Sequence, residues 1–440
     1  MPDIQPHIPS ILHGQICLPA SKSISNRMLL ISQLAKGQIS LRNISDCDDT
    51  RAMEEALGER ARVESESETE TESEKSQISN DKIIDIGAAG TAMRFLTAYF
   101  ATTPGEVVIT GTERMRHRPI GVLVDALRRL GADIDYEGEQ GFPPLRIRGT
   151  QLEGGSISMA GSVSSQYVSA LLMVAPTMRN GLTLTLEGEI ISRPYIDMTT
   201  SLMRRFGITV EEPDDRTFRV LPGEYTGGEY LIENDWSAAS YWYEMLALAD
   251  DGEIVLEGLF ADSLQGDSCV QQLFEPLGIS TEFNKKGAVL RKFESSRDNG
   301  QSSILNSQSI YEADLSHCPD LAQTMVATCC GMGVPFHFSG LQTLHIKETD
   351  RLLALQQELG KLGYEVEEEN GSVLKSGARS EKETNRISSD SKCIDTYSDH
   401  RMAMCMAPLA MLHEGLVIKD AQVVSKSYPT FWEDIEKFKS

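Results

Sequence analysis

Residues 202–220 read LMRRFGITVEEPDDRTFRV, and this stretch decides the fold. An amphipathic segment ends at Phe206-Gly207. A polar-apolar alternation follows, then the turn-forming Pro213-Asp214-Asp215, then a second alternating run. A glycine directly after a helical stripe is the residue that can turn left-handed and end the helix. Alternation on both sides of a polar turn predicts two strands. The unit therefore reads helix–strand–strand. Related endings recur at MEEALG (Gly58), LVDALRRLG (Gly131), VQQLFEPLG (Gly278) and LQQELGKLG (Gly363), spaced 73, 76, 71 and 85 residues apart. A repeat of this length is too long for a short-period solenoid and predicts duplicated α/β units. A sixth copy falls at FWEDIEKF (431–438), where the chain ends without further strands. The strands it lacks are expected from residues 11–18, giving six units in two lobes of three, with residues 1–20 crossing back to the second lobe.

The chain has 440 residues, 40% apolar and 24% charged, with 41 Lys+Arg against 65 Asp+Glu and a net charge of −24. That length predicts at least two domains. So acidic a balance argues against a nucleic-acid partner and against docking on anionic membranes. No apolar run approaches a membrane span, and none of the eight cysteines forms a CxxC or zinc-type spacing. A cytoplasmic protein with reduced thiols is expected. Residues 64–74 (ESESETETESE) read as a solvated loop or insertion, as do 294–308 and 376–392.

The chemistry-bearing motifs are scattered. ASKSISNR (20–27) brings Lys22, Ser23 and Arg27 to a helix start, as an anion site or as a plain N-cap with solvated cations. IIDIGAAGTAMR (83–94) passes from an apolar run through a Gly-rich turn into a helix. Backbone at Gly90 and Thr91 could there meet phosphate, but no nucleotide fingerprint is present. RMRHRP (114–119) sets Arg114, Arg116 and Arg118 at alternate positions, one row of cations if extended, or a protected sheet edge. GSVSSQ (161–166) and SRPY (192–195) add Ser164, Ser165, Gln166, Ser192 and Tyr195.

DLSHCPD (314–320) holds Asp314, His317, Cys318 and Asp320. Pro319 interrupts any metal set, and Asp314 reads better as an acid or base. In HIKETDRLLALQQELGKLG (345–363), Leu352, Leu355, Leu359 and Leu362 form a helical stripe. Continuing that helix backward makes Lys347 and Arg351 an i,i+4 pair and aims Glu348 near the stripe. A carboxylate so directed would serve as a general acid. DHRMAM (399–404) and SKSYP (425–429) supply His400, Arg401 and Lys426. A histidine placed like His400 is more often structural. Lys22, Arg27, Arg118, Lys347, Arg351, Arg401 and Lys426 make seven cations beside the two carboxylates, Asp314 and Glu348. This points to transfer between small phosphorylated carboxylates, and to salt-sensitive binding at a cationic focus in an acidic body.

Taken in order, LPASKSISNR, GAAGTAMR, RMRHRP, GSVSSQ, SRPYID, DLSHCPD, KETDR, DHRMAM and SKSYP resemble the 5-enolpyruvylshikimate-3-phosphate synthase family of enolpyruvyl transferases. The resemblance runs from residue 18 to the end. It implies an α/β fold of six βαβαββ units, three per lobe, with the site in the interlobe cleft. The lobes would be 21–233, carrying an acidic insertion near 59–80, and 1–20 with 234–440. It implies transfer of the enolpyruvyl group of phosphoenolpyruvate to 3-phosphoshikimate, without cofactor or metal, in a monomer. By the same resemblance Ser23, Arg27, Ser164, Ser165, Ser192, Tyr195, Thr343 and Lys347 hold 3-phosphoshikimate. Gly90, Thr91, Arg118, Arg351, His400, Arg401 and Lys426 hold phosphoenolpyruvate, and Lys22 and Gln166 touch both. Lys22 joins Asp314, the base toward the 5-hydroxyl, and Glu348, the acid toward the methylene, as the catalytic set. Ala88, Phe95 and Thr343 depart from the family's usual residues. The competing enzyme, the UDP-N-acetylglucosamine enolpyruvyl transferase, normally carries a reactive Cys near the Arg118 region, and this chain has none between Cys47 and Cys269. A catalytically silent binding protein would not be expected to keep Asp314, Glu348 and all seven cations.

Overall fold

The computed structural model describes residues 3–67, 82–293, 309–376 and 392–438. The chain divides into two compact units, Lys22–Ile232 and Met1–Ser21 with Glu233–Ser440. Within Lys22–Ile232 one building plan is used twice. Strands Ile83–Asp85 and Gly105–Thr110 run parallel, and Leu145–Gly149 and Asp133–Tyr136 follow antiparallel in that spatial order. Gly155–Ala160, Leu182–Glu187, Thr217–Val220 and Val210–Glu211 repeat it, with Ile157 opposite Leu184 and Phe218 opposite Leu184 from the other side. Leu182, Leu184 and Leu186 face inward while Thr183 and Thr185 alternate out, the period of a half-buried strand. A third, shorter pair joins Gly228–Leu231 to Ile39–Arg42 in parallel.

The unit made by Met1–Ser21 and Glu233–Ser440 carries the same plan. Its sheets are Ile11–Cys17, Asp251–Glu257, Gly287–Lys292, Ile279–Phe283, and Tyr311–Asp314, Phe336–Ser339, Val373–Ser376, Glu367–Glu369, with a parallel pair Cys393–Ile394 and Val417–Ile418. Each unit also has a helix buried on all sides. Gly90–Thr102 is buried from Gly90 to Ala101, and Trp236–Leu248 from Trp236 to Ala247 apart from Ser237. A helix apolar all round belongs at the centre of its domain. That placement leaves helix N-termini, not helix faces, to present polar groups.

The repeat glycines explain the geometry where they work. Gly131, Gly207, Gly278 and Gly363 have φ of 105°, 87°, 88° and 81°. There a side chain would be strained, so each helix can end and its strand begin. Gly58 behaves otherwise. The helix Asp48–Ser67 runs straight through it, because the following Glu, Arg and Ala residues favour helix. For the same reason the acidic stretch expected as a loop is helical over its first residues, to Ser67. The remainder, 68–74, lies outside the described residues, as do the polar stretches 294–308 and 377–391.

The N-terminal strand corrects another expectation. Ile11–Cys17 does not complete the last unit. It pairs over its whole length with Asp251–Glu257, Leu12 and Ile16 pointing into the core. The last unit instead receives an antiparallel bridge from Ile4 to Ile418.

Candidate active site

In Lys22–Ile232 the polar groups gather at helix starts. Arg27, in the second turn of helix Lys22–Leu34, is 2% exposed. Its Nε donates to Thr199 Oγ1 at 2.7 Å, Nη1 to the Ser23 carbonyl at 2.8 Å, and Nη2 to Ser169 Oγ at 3.1 Å and the Tyr195 carbonyl at 3.2 Å. The guanidinium lies over Phe95 and Tyr195, at 5.5 and 5.9 Å from the ring centroids. Burial pushes it down to about 10, against an upward pull from Tyr195. Among the described residues these acceptors are hydroxyls and carbonyls, not carboxylates, which leaves a buried positive charge without an anionic counterpart.

Ser164 caps helix Ser165–Val174, its Oγ accepting from Gln166 N at 3.4 Å. Gln166 in turn donates from Nε2 to Thr91 Oγ1 at 3.1 Å. Thr91 is the second residue of the helix opened by Gly90. Gly90 lets two guanidinium groups lie close against this helix start: a Cβ there would stand 2.6 Å from Arg118 Nη1 and 3.0 Å from Arg94 Nη1, so those side chains would have to shift. Lys22 Nζ meets Asp49 at 3.2 Å. Ser192 is buried in the left-handed conformation, φ 58° and ψ 37°, directly before helix Arg193–Arg205. A non-glycine residue held there stores local strain.

The row of Arg114, Arg116 and Arg118 is not extended. Thr112 caps a short helix, Glu113–Arg116, with its hydroxyl accepting from Met115 N. Arg114 and Arg116 are exposed, Arg116 bonds the Gly111 carbonyl, and Arg118 alone turns in against Gly90.

In the other unit three carboxylates and four cations interlock. Arg351 is 1% exposed and touches Asp399 (Nε to Oδ2, 2.8 Å), Asp320 (Nη1 to Oδ1, 3.2 Å) and Glu348 (Nη2 to Oε2, 2.9 Å). Arg401 reaches Asp320 Oδ2 at 3.0 Å, Lys347 reaches Asp320 Oδ1 at 3.6 Å, and Lys426 reaches Glu348 Oε1 at 3.1 Å. Burial works to raise the Asp320 carboxyl, but Arg401, Lys347 and Arg351 outweigh it and hold it well below the usual range. Burial likewise works against the charge of Arg351, and Asp399, Glu348 and Asp320 overcome it. Asp399 caps helix His400–Met406 by accepting from Arg401 N at 2.9 Å. His400 is 1% exposed at the first position of that helix, its Nδ1 3.8 Å from Asp399.

Glu348 and Lys347 are not on a helix. Asp350 caps Leu353 N, so the helix begins at Arg351 and runs to Lys361. The orientation of Glu348 toward the leucine stripe therefore does not hold: both its oxygens face cations. Leu352, Leu355, Leu359 and Leu362 are fully buried as the stripe requires. Asp314 ends strand Tyr311–Asp314, exposed, accepting from Ser316 N and Oγ at 2.9 and 3.1 Å. Among the described residues Thr343 Oγ1 is buried without a hydrogen-bond partner.

Several polar residues in these networks were not legible as site residues. Ser169 and Thr199 look like core fillers in their helices, yet their hydroxyls seat Arg27. Asp49 meets Lys22. Asp267 takes the Ser237 hydroxyl and is pushed up to about 7, by burial first and by Asp320, with Arg401 opposing. Only an aspartate in the first turn of a helical run, in CDDTR and in QGDSC, offered a cue.

Buried guanidinium and ammonium groups, capped helix starts and carboxylates set among cations thus sit together in an α/β protein. A family model described as EPSP synthase (3-phosphoshikimate 1-carboxyvinyltransferase) matches residues 6–435. The chain is 48% identical over 430 residues to a 3-phosphoshikimate 1-carboxyvinyltransferase of Bacteroides fragilis, covering 98% of this chain and 96% of that one. It is 37% identical over 429 residues to the protein of that name from a Marinomonas species, covering 96% of each. Among solved structures it is similar in fold to EPSP synthase from Acinetobacter baumannii, with a TM-score of 0.71 at 20% identity over 99% of this chain and 97% of that one. The chain belongs to the EPSP synthase (3-phosphoshikimate 1-carboxyvinyltransferase) family. No described helix is long and apolar enough to cross a membrane.

Proposed function

We infer that the chain moves the enolpyruvyl group of phosphoenolpyruvate onto the 5-hydroxyl of 3-phosphoshikimate and releases phosphate. The observation that carries this reading is the convergence of Lys347, Arg351, Arg401 and Lys426 on Asp320 and Glu348. It puts four cations and a pair of carboxylates into one small network.

Ser23, Arg27, Ser164, Ser165, Ser192, Tyr195, Thr343 and Lys347 bind 3-phosphoshikimate. The uncompensated charge of Arg27 and the unpartnered hydroxyl of Thr343 support that role. Gly90, Thr91, Arg118, Arg351, His400, Arg401 and Lys426 bind phosphoenolpyruvate, and Lys22 and Gln166 serve both. Glu348 is ion-paired to Arg351 and Lys426. An incoming phosphate or carboxylate takes over part of those two charges, which raises the affinity of Glu348 for a proton at the moment of use. Glu348 then protonates the methylene and C2 becomes cationic. The 5-oxygen attacks C2 as its proton passes to Asp314. Collapse of the adduct breaks the C–O bond to phosphate while the methyl group returns a proton. No electron changes hands, so the reaction needs no redox cofactor, and fixed cations carry the charge of the transition state. The protein acts as a monomer in the cytoplasm, where its thiols stay reduced.

The test is to supply 3-phosphoshikimate and phosphoenolpyruvate labelled with carbon-13 at C2 and follow the label by NMR. An enol ether at the 5-oxygen with one equivalent of phosphate is expected. Phosphoenolpyruvate unchanged, or hydrolysed without an ether, contradicts the reading.

A further inference from the structure

His345 has no part in the reaction above, yet it lies midway between Thr343 and Lys347, two of the residues given to 3-phosphoshikimate. It belongs to the short turn Gln342–Ile346. Its ring bridges two other elements of the same unit. Nδ1 lies 2.9 Å from Asp350 Oδ2, while Oδ1 of that carboxylate accepts from Leu353 N and starts the helix Arg351–Lys361. Nε2 lies 3.1 Å from the Gly371 carbonyl, in the turn joining strands Glu367–Glu369 and Val373–Ser376, with Glu368 Oε1 at 3.8 Å. A carboxylate and a carbonyl only accept, and a neutral imidazole carries a single N–H. Only the imidazolium donates to both at once. The cations of the neighbouring elements are turned elsewhere: Lys347 to Asp320, Arg351 to Asp320, Glu348 and Asp399, and Lys375 to Glu369 and Glu367. The charged groups that face the ring are Asp350 and Glu368. The bond to Asp350 first, and then both carboxylate charges, raise its hold on the proton above that of an ordinary histidine, against the opposing effect of burial.

We propose that His345 is a positioning residue: as the imidazolium it pins residues 342–347 to the helix start on one side and to the strand turn on the other, and so holds Thr343 and Lys347 for 3-phosphoshikimate. When the ring loses its proton, one nitrogen turns a lone pair toward an acceptor. That contact opens, and the segment stays tied on one side only. The positioning is full below the ordinary histidine value of about 6.5 and is lost as pH rises through the raised one. The proposal rests on the reading that Thr343 and Lys347 bind 3-phosphoshikimate.

The experiment titrates the full chain with 3-phosphoshikimate by calorimetry between about pH 6.5 and pH 9, and follows the His345 ring by nitrogen-15 NMR over the same range. Both ring nitrogens should carry protons at the lower pH. The dissociation constant should rise about fivefold or more as the ring titrates. His345→Arg, which donates at both ends at every pH, should lack that rise. His345→Gln, with one donating and one accepting end, should bind at the lower pH as weakly as the wild type does at the higher. Groups that titrate in all three proteins, Asp267 among them, cancel in the comparison. In a Lys347→Met background the rise should shrink, because the positioned ammonium is gone. A ring already neutral at pH 6.5 overturns the proposal. So does a rise equally large in His345→Arg, or one undiminished without Lys347. A wild type that binds no 3-phosphoshikimate at any pH overturns the activity reading as well, and the absence of all binding tells that failure apart from the others.

Discussion

Arg351 grips Asp399 through two hydrogen bonds, Nε to Oδ2 at 2.8 Å and Nη2 to Oδ1 at 3.3 Å, with both side chains buried. The same Oδ1 accepts from Arg401 N and starts the helix that carries Arg401. One carboxylate thus aims two cations, one through its side chain and one through its backbone.

Asp399→Ala leaves Arg351 buried with a partner missing and uncaps that helix. Removing one partner of a buried pair costs about 3–5 kcal/mol. Urea denaturation should show this loss with an unchanged slope, and Asp399→Asn, which keeps an acceptor for the cap, should lose less.

Arg27→Lys cannot reproduce a fork that reaches two hydroxyls and two carbonyls while stacked on two rings. The KM for 3-phosphoshikimate should rise about ten- to a hundredfold. The KM for phosphoenolpyruvate should change far less in the same steady-state measurements.

Glu348→Gln keeps the shape between Arg351 and Lys426 and removes the proton carrier. Turnover should fall by about a hundredfold or more. Calorimetric titration with 3-phosphoshikimate alone should give the wild-type affinity, because that ligand is not held by Glu348.

Asp267 predicts a pH dependence of stability. Its folded value, about 7 against 3.8 for an ordinary aspartate, means that the native state keeps a proton the unfolded chain has lost. Its contribution is therefore full below about pH 4 and is lost as pH rises to about 7. Asp320 is depressed and acts in the opposite sense, losing its contribution only as pH falls below about 4. Urea midpoints at pH 5 and pH 8 should show that Asp267→Asn gains relative to wild type at the higher pH.

The repeating architecture was readable because it is local. A leucine stripe, a glycine and two alternating runs are all neighbours in sequence, and four of the five glycines end their helices as the pattern requires. Gly58 has the same letters and a different fate, decided by the helix-favouring residues after it. The networks were harder to see because they join distant residues: Arg27 to Thr199, Arg401 to Asp320. Glu348 was misplaced by carrying helical periodicity past Asp350, whose carboxylate begins the helix later. Thr112 gave the matching cue before Arg114–Arg118, and it outweighs alternation in so short a segment.

The central claim is the identity of the acceptor, and phosphate release tests it most directly. With phosphoenolpyruvate and 3-phosphoshikimate together, the protein should release one phosphate per phosphoenolpyruvate consumed, more slowly as salt screens the cations. Neither phosphoenolpyruvate alone nor phosphoenolpyruvate with UDP-N-acetylglucosamine should release any. No release with 3-phosphoshikimate, or equal release with the nucleotide sugar, would contradict the account.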